Sequence, residues 1–406
     1  MEREEKILEL LGSQPSVLKE LNRTLVMRLV WQQGPLSRAD LARLSGLSVP
    51  AILKIVEGLM EDGFLYEIGE GESSGGRRPI LLSINPDGAY AIGVELTPVK
   101  IGAAVVNLEF SIVNMAEDTI DPESGYEKIL KQMTRLIGHV IKISGVNKQH
   151  ILGIGISHPG IMGEDADKIL LATNLKSWKE VPLGQDIEKR FNLPTSLEVD
   201  ARAFAQAEMW LGHARNVKNF ISIDIDIGLG AGMVLDGKIY RGSRGIAGEL
   251  GHIVTEPDGF PCSCGKRGCL ETVVAFPAIC REVKKNPSSM IKEFCQNRMD
   301  RLNIDVIIQA AQLNDPVALG AIEHSARTLG KALGNLMNFV DIDTVFINSK
   351  LTSLGEKFFR PLHEEIQKYF LLAQEKPVKV LPSALGQYCE LLSAAILILR
   401  NIFESK

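Results

Sequence analysis

The most constraining feature of this 406-residue chain is a cysteine cluster, PCSCGKRGC, over residues 261–269. Cys262 and Cys264 are one residue apart, so a disulfide between them would be badly strained. Metal binding is the better interpretation, and His252, ten residues before Cys262, completes a Cys3His set with Cys269. Such a set suits structural zinc, because four protein ligands leave no open position for a catalytic water. The alternative is three reduced thiols without a metal.

Composition places the chain among soluble globular proteins, with 45% hydrophobic and 23% charged residues. No apolar run reaches about 18 residues, so we predict no membrane insertion. The N-terminus has none of the segments of a signal peptide, which predicts a cytoplasmic protein without structural disulfides. The isolated cysteines are therefore expected to be small buried hydrophobes. They are Cys280, Cys295 and Cys389.

Residues 22–85 have the order of elements that is typical of a winged helix-turn-helix. Apolar residues at helical spacing predict a first helix that ends at Gly34. Ser37 is placed to cap a short second helix, and Ser48 to cap a third one. Gly63 ends the third helix, and two short strands follow around a Gly/Ser-rich tip. The pattern predicts three helices and a β-wing.

The charge of this segment favours double-stranded DNA as the partner. Between residues 22 and 54, five basic residues stand against one acidic residue, a local net charge of +4 in a chain whose total is −5. A third helix in the major groove and wing arginines in the minor groove would supply the contacts. The candidate DNA-binding residues are Arg38, Ser48, Ala51, Lys54, Arg77 and Arg78. The alternative is a three-helix protein-interaction module with a charged hairpin.

From about residue 86 the pattern becomes that of an α/β protein. Three β-rich runs precede a helix over 125–144, the strand pattern restarts at residue 219, and one more strand over 343–348 interrupts the later helices. Two such halves indicate a duplicated fold of the actin and sugar-kinase type, with ligands in the cleft between lobes. The predicted domains are a DNA-binding domain over 1–85, a first lobe over 86–198 to which a helix over about 385–406 returns, and a second lobe over 199–384.

Residues 241–272, RGSRGIAGELGHIVTEPDGFPCSCGKRGCLET, resemble the signature of the ROK family of repressors, open reading frames and sugar kinases. A winged helix ahead of this signature is similar to the repressor branch of the family, the NagC, Mlc and XylR type. The resemblance implies an α/β fold in which a winged helix-turn-helix precedes a two-lobed, actin-like sugar-kinase fold with a structural zinc loop. It also implies a repressor of genes for carbohydrate uptake or metabolism.

The resemblance further implies roles for five side chains in binding a sugar or sugar phosphate. Glu249 and His252 match residues that contact sugar hydroxyls, with His252 also on the zinc, and Glu271 matches a second sugar-binding carboxylate. Asp200 matches the catalytic base of the kinases, and Asn174 lies in another segment of the cleft. Carboxylates suit this task because they accept hydrogen bonds from pairs of hydroxyls. Alternatively, Glu249 caps a helix or forms a salt bridge, and Asp200 is an N-cap.

Several segments depart from the kinase pattern that the resemblance supplies. Glu95 stands where the first phosphate loop has aspartate, and Pro98 follows where a backbone N–H is needed. Leu229 replaces a threonine of the second phosphate loop, and Asn348 and Ser349 replace a glycine pair at the adenosine segment. The resemblance therefore predicts that the chain is not an enzyme.

The sugar site departs as well, since Val199 and Arg202 stand at positions where the kinases carry asparagine. The identity of the sugar stays open. We expect a sugar-responsive repressor whose DNA binding is modulated by a sugar in the interlobe cleft. It should be a homodimer or homotetramer, because reading a palindrome takes at least two copies. The alternatives are an ATP-dependent hexose kinase that also binds DNA and a repressor controlled by a protein partner.

Overall fold

The computed structural model describes residues 15–71, 78–163, 168–172, 174–386 and 388–404. The helices are α1 (Pro15–Gln33), α2 (Arg38–Ser45), α3 (Val49–Glu61), α4 (Tyr126–Ser144), α5 (Leu183–Phe191), α6 (Asp200–Trp210), α7 (Glu271–Val274), α8 (Phe276–Lys285), α9 (Ser289–Phe294), α10 (Ile304–Gln312), α11 (Pro316–Val340), α12 (Glu356–Tyr369) and α13 (Cys389–Leu399). None of the helices in these ranges is both long enough and apolar enough to cross a membrane.

The strands lie mostly in the first two thirds of the chain. They are β1 (Leu36–Ser37), β2 (Leu65–Glu70), β3 (Ile80–Ile84), β4 (Tyr90–Leu96), β5 (Lys100–Asn107), β6 (Ile112–Thr119), β7 (Ile151–His158), β8 (Ile161–Met162), β9 (Ile169–Leu171), β10 (Lys179–Val181), β11 (Thr195–Val199), β12 (Phe220–Ile225), β13 (Leu229–Leu235), β14 (Lys238–Ile239), β15 (Thr344–Asn348) and β16 (Lys379–Pro382). The mixed α/β fold class predicted from the sequence is confirmed.

The chain divides into two compact units. The first comprises the described residues of Met1–Ser157, Pro182–Leu197 and Leu391–Lys406, and the second comprises those of His158–Val181 and Glu198–Glu390. The domain boundaries given above stay predictions, because this division follows compactness and not function.

The first unit opens with the helix-turn-helix that the sequence predicts. Ser37 forms a capping box with Asp40: its hydroxyl accepts from the Asp40 N–H at 3.1 Å, and the Asp40 carboxylate accepts from the Ser37 N–H at 3.3 Å. Gly46, at a φ of 71°, ends α2. The Ser48 hydroxyl then accepts from the Ala51 N–H and starts α3. Side-chain caps therefore set the two boundaries of the turn.

The wing is the hairpin of β2 and β3, which joins β1 in a three-stranded sheet of order β1-β3-β2. Gly63, at a φ of 80°, ends α3 and leads into β2, as predicted. The wing tip, including Arg77, lies outside the described residues. Helix α1 begins at Pro15 rather than near residue 22, because Val17, Leu18 and Leu21 continue its apolar spacing.

A five-stranded sheet of order β11-β7-β4-β5-β6 forms the centre of the first unit. Strands β4, β5 and β6 make the predicted antiparallel meander, and β7 runs parallel to β4. Helix α13 lies directly on this sheet. A Cβ at Gly93 or Gly155 would overlap the carbonyl oxygens of Leu391 and Ala394, so glycine is needed at both points for the backbones to approach.

The second unit contains a five-stranded sheet of order β14-β13-β12-β15-β16 and a small antiparallel sheet of β8, β9 and β10. Its apolar core lies between β12, β13 and β15 and the helices α8 to α12. The sequence predicts a single strand, β15, among the late helices, whereas the structure adds β16 parallel to it. Only Val380 of β16 is buried, so this edge strand has no alternating pattern that could reveal it.

Candidate functional site

The four predicted metal ligands meet in the second unit. The ligand atoms of His252, Cys262, Cys264 and Cys269 all lie within 4.8 Å of one another. The Cys264 and Cys269 sulfurs are 3.6 Å apart, and Cys262 Sγ lies 3.5 Å from His252 Nδ1. Tetrahedral zinc, with bonds of about 2.3 Å to sulfur and about 2.0 Å to nitrogen, separates two sulfurs by about 3.8 Å and sulfur from nitrogen by about 3.5 Å. The cluster therefore fits a metal ion of this size.

The loop around the cysteines is built by tight backbone contacts. The Cys262 N–H donates to the Lys266 carbonyl at 2.8 Å, and the Gly265 N–H donates back to the Cys262 carbonyl at 3.0 Å. Gly268 has a φ of 66° and lies against the Glu256 carbonyl, where a Cβ would not fit. These contacts hold the three sulfurs on one side of the loop.

His252 connects the cysteine cluster to two carboxylates. Its Nδ1 faces Cys262 and lies 3.7 Å from Glu271 Oε1, while its Nε2 lies 3.8 Å from Glu249 Oε2. Glu249 precedes the 3-10 turn Leu250–His252 and makes no side-chain cap there, so the capping alternative is not seen. Its carboxylate instead lies beside the imidazole of His252. Burial raises the pKa of Glu249. The Cys3His cluster and a group of carboxylates thus share one imidazole.

Asp200 contributes a further carboxylate to this pocket. Burial raises the pKa of Asp200 to about 6; the hydrogen bond that its Oδ1 accepts from the Ala201 N–H, at 2.6 Å, opposes the rise, and the charge of Glu249 adds to it. Helix α6 begins at Asp200 itself and is preceded by Val199, so the N-cap alternative for Asp200 is wrong. The Asp200 side chain is left with oxygens that can accept bonds from hydroxyls.

Comparison with known proteins identifies the family. Residues 91–401, about three quarters of the chain, match the ROK family. The matched segment begins just after the winged helix.

The chain belongs to the ROK family.

The names of two similar proteins describe regulators. The putative xylose repressor of Caldicellulosiruptor sp. (strain Rt8B.4) is 32% identical over 95% of this chain and 97% of its own. The crystal structure of a ROK family transcriptional regulator, a homologue of the Escherichia coli MLC protein, superimposes with a TM-score of 0.79 at 28% identity, over 95% of this chain and 97% of that one. A ROK glucokinase from Streptomyces griseus, in complex with glucose and AMPPNP, gives a TM-score of 0.69 at 27% identity over 76% of this chain and 99% of its own.

The structure brings only some of the predicted sugar-binding residues of this ROK protein close together. The structure brings Glu249, His252 and Glu271 together, and the charge of Glu249 acts on Asp200. Asn174 is exposed in the turn between β9 and β10. The structure therefore brings four of the five residues together, and their role in binding a sugar stays a prediction.

The predicted DNA-contacting residues of the ROK protein also differ in their exposure and in whether their side chains already have partners within the protein. Lys54 is exposed, and Ala51 is partly exposed on the same helix. Arg78 is also exposed, and its Nη1 lies 4.0 Å from Glu70 Oε2. Arg38, by contrast, donates to Glu67 Oε1 on the wing at 2.9 Å, and the Ser48 hydroxyl caps α3. Within the described residues, Lys54 is the predicted contact on α3 with a charged and uncommitted head group.

The glycines of the second phosphate loop have a packing role in this ROK protein. A Cβ at Gly232 would lie 2.7 Å from the Ala205 Cβ and overlap the Ala201 carbonyl, and a Cβ at Gly230 would lie 2.9 Å from the Ala201 Cβ. Both glycines therefore let α6 lie directly on β13. Their presence is explained without a nucleotide.

The positions at which the resemblance predicts departures from the kinases make internal contacts. In the second unit, Asn348 Nδ2 donates to Asp224 Oδ1 at 2.8 Å, and the Ser349 hydroxyl donates to the Ile225 carbonyl at 2.9 Å. In the first unit, Lys100 Nζ lies 3.1 Å from Glu95 Oε2 and pairs its charge. Each of these side chains therefore makes a hydrogen bond or an ion pair with a residue of its own unit.

One polar cluster of the ROK protein was not identified from the sequence. Glu198 is buried and accepts hydrogen bonds from the side chains of Arg202, Gln206 and Arg241. The spacing of Glu198 and Arg202, four residues apart, could have indicated a pair on one helical face. It was missed because Glu198 lies in strand β11, which runs to Val199, and the helix begins only at Asp200.

Proposed function

We propose that this ROK protein is a sugar-responsive transcriptional repressor. The winged helix binds a double-stranded DNA operator, and a sugar or sugar phosphate bound in the pocket of Asp200, Glu249, His252 and Glu271 weakens that binding. One observation carries the proposal: a capped helix-turn-helix and wing precede, in a single chain, a ROK domain whose acidic residues surround a Cys3His cluster. A kinase of the family needs only the ROK domain, whereas a regulator needs the winged helix-turn-helix as well.

The proposed effector is a sugar, free or phosphorylated, with several adjacent hydroxyls. Carboxylates that accept from paired hydroxyls reject ligands that lack them, because buried acceptors would then be left unpaired. D-Xylose is the first compound to test, since a relative that covers nearly the whole chain is named a xylose repressor. Asn174 is proposed as a peripheral contact, because it is exposed on a turn.

We propose that the metal is zinc and that its role is structural. Three cysteines and one histidine fill a tetrahedral shell, so no position remains for a reacting water. When bound, the ion would supply positive charge and fix the ring of His252, whose Nε2 faces Glu249. The chain's own residues then present Glu249 and Glu271 on either side of that imidazole.

Coupling between sugar and DNA is proposed to be a shift in population. Two copies of the chain, in a homodimer or homotetramer, read two half-sites on one face of the duplex. The sugar stabilises an arrangement in which both winged helices no longer match these half-sites. A coupling of about 1–3 kcal/mol changes operator affinity by about 5- to 150-fold.

A sugar kinase is the second candidate, favoured by the raised pKa of Asp200 and by the likeness to a glucokinase. Against it stand Asn348 and Ser349, which bond to β12, and Glu95, which is paired with Lys100. We therefore propose that the chain is not an enzyme. ADP release from ATP in the presence of a hexose, lost in Asp200→Ala, would support the kinase instead.

Thermal unfolding of the purified protein against D-xylose, D-glucose, N-acetylglucosamine and their phosphates tests the pocket. A ligand at 100 times its Kd stabilises the fold by about 2.7 kcal/mol. Asp200→Asn and Glu249→Gln should abolish the shift, while Asp258→Asn, an exposed acid near the cysteine loop, should preserve it. No shift with any sugar would leave control by a protein partner as the better explanation.

A further inference from the structure

We propose that Arg202 is a positioning residue, which together with Glu198 holds the segment 241–249 and so places Glu249 in the effector pocket. The holding of this segment follows from contacts within the second unit. The consequence for effector affinity rests on the proposed function.

Glu198 is the centre of the contact. Its side chain is 1% exposed and that of Arg202 is 2% exposed. Arg202 Nε donates to Glu198 Oε1 at 2.8 Å, and Gln206 Nε2 donates to Oε2 at 3.3 Å. Arg241 approaches the same carboxylate with two nitrogens, Nη1 at 3.2 Å from Oε1 and Nη2 on Oε2. One buried carboxylate therefore joins the start of α6 to the start of the segment 241–249.

Arg202 also reaches the middle of the segment. Its Nη1 donates to the Gly245 carbonyl at 2.7 Å. The remaining nitrogen, Nη2, is buried and has no hydrogen-bond partner in the described part of the chain, so two of the three guanidinium nitrogens serve this contact. Only arginine offers donors in a rigid fork that can bridge a carboxylate and a carbonyl at once.

The far end of the segment is fixed on the sheet. The Ala247 N–H donates to the Arg241 carbonyl at 3.1 Å, and the Ala231 N–H on β13 donates to the Gly248 carbonyl at 3.0 Å. Gly248 has a φ of 98° and lies so close to the Ala231 carbonyl that a Cβ would not fit. The next residue is Glu249. Its backbone position is therefore the end point of a segment held at its start by Glu198, in its middle by Arg202 and at its end by β13.

The charge of Arg202 reaches the pocket as well. Burial raises the pKa of Asp200, and the Arg202 cation opposes that rise. Arg202 thus favours the ionised, hydrogen-bond-accepting form of a side chain that is proposed to bind sugar hydroxyls.

Hydrogen exchange of the full chain, followed by mass spectrometry, tests the positioning role without any sugar or DNA. The variants are Arg202→Gln, Arg202→Lys and Glu198→Gln. Glu208→Gln is the matched control, because Glu208 is an equally buried glutamate on α6 that accepts from the His213 and Ala384 N–H groups and does not touch the segment. Losing a hydrogen bond to a charged group corresponds to about 10- to 100-fold in a local equilibrium.

We expect the peptide over residues 241–249 to exchange at least about tenfold faster in Arg202→Gln and Glu198→Gln, and at the wild-type rate in Glu208→Gln. Arg202→Lys should behave like Arg202→Gln, because one ammonium cannot bridge both acceptors. Wild-type exchange in Glu198→Gln and Arg202→Lys would overturn the proposal, and these two milder changes decide the matter if Arg202→Gln does not fold.

The second readout is the affinity for D-xylose, or for whichever sugar of the panel stabilises the wild-type protein. Arg202→Lys should weaken it by about tenfold and leave sugar-free operator affinity unchanged. Faster exchange with unchanged sugar affinity would limit Arg202 to a structural role and overturn the positioning role. If no sugar binds the wild type, the proposed function fails, while the exchange experiment still decides whether Arg202 holds the segment.

Discussion

The indole of Trp31 lies 5.5 Å, between ring centroids, from the ring of Phe403. Phe110, at the turn between β5 and β6, completes a three-ring cluster at 5.8 Å from Trp31 and 6.1 Å from Phe403. Trp31 belongs to α1 of the winged helix-turn-helix, and Phe403 follows α13, which lies on the central sheet of the same unit. The helices of the winged helix-turn-helix are therefore attached to the core of the first unit by aromatic packing.

Trp31→Ala should loosen this attachment. We expect a loss of about 1–3 kcal/mol in the free energy of unfolding, since a half-buried indole and two ring contacts are removed. Operator affinity should fall as well, because the orientation of α1 is no longer fixed. Denaturant unfolding and DNA titration measure the two effects. Tyr240→Ala, which removes a partly exposed ring in the second unit and away from the three-ring cluster, should lower operator affinity not at all and stability less than Trp31→Ala does.

Cys264→Ser should release the metal. The remaining His252, Cys262 and Cys269 cannot close a tetrahedral shell, and the loop loses its cross-link. We expect zinc content to drop and sugar binding to weaken before DNA binding by the first unit is affected. Cys280→Ser is the control, since that cysteine lies outside the cluster. Full metal occupancy in Cys264→Ser would contradict the ligand assignment.

Stability should depend on pH through Asp200. Burial raises the pKa of Asp200 in the folded protein to about 6, above the ordinary value for an aspartate. The stability that this shift contributes is fully present at a pH below that ordinary value and is lost as the pH rises through about 6. Between those values the wild-type free energy of unfolding should fall more steeply than that of Asp200→Asn, by up to about 1.4 kcal/mol per pH unit. Urea titrations at pH 4.5, 5.5, 6.5 and 7.5 would show parallel curves if the carboxyl is not perturbed.

Lys54→Ala should weaken DNA binding equally for all sequences. Lys54 is exposed on α3 near its start, so we expect it to neutralise one phosphate. The slope of log affinity against log salt should fall in magnitude by about 1. Lys19→Ala, an exposed lysine on α1, is the control. An unchanged slope would remove Lys54 from the interface.

Much of the fold could be predicted because local rules decide it. Ser37 and Ser48 cap their helices as the sequence indicates, and β4, β5 and β6 follow from apolar runs. The cysteine cluster could be predicted because its spacing excludes most other uses of cysteine.

What could not be predicted depends on contacts between distant residues. The bridge from Arg202 to Gly245 spans 43 positions and joins a helix to a loop, so no local pattern marks it. Strand β16 forms only because β15 offers it an edge. The hydrogen bond from Arg38 to Glu67 likewise forms only when the wing folds back onto α2.

The most direct test of the repressor proposal is a titration of the purified protein against its own upstream DNA, with and without D-xylose and the other sugars of the panel. We predict that one sugar lowers operator affinity by about 5- to 150-fold and that Asp200→Asn binds the same DNA but no longer responds. Equal operator affinity in the presence of every sugar would contradict sugar control.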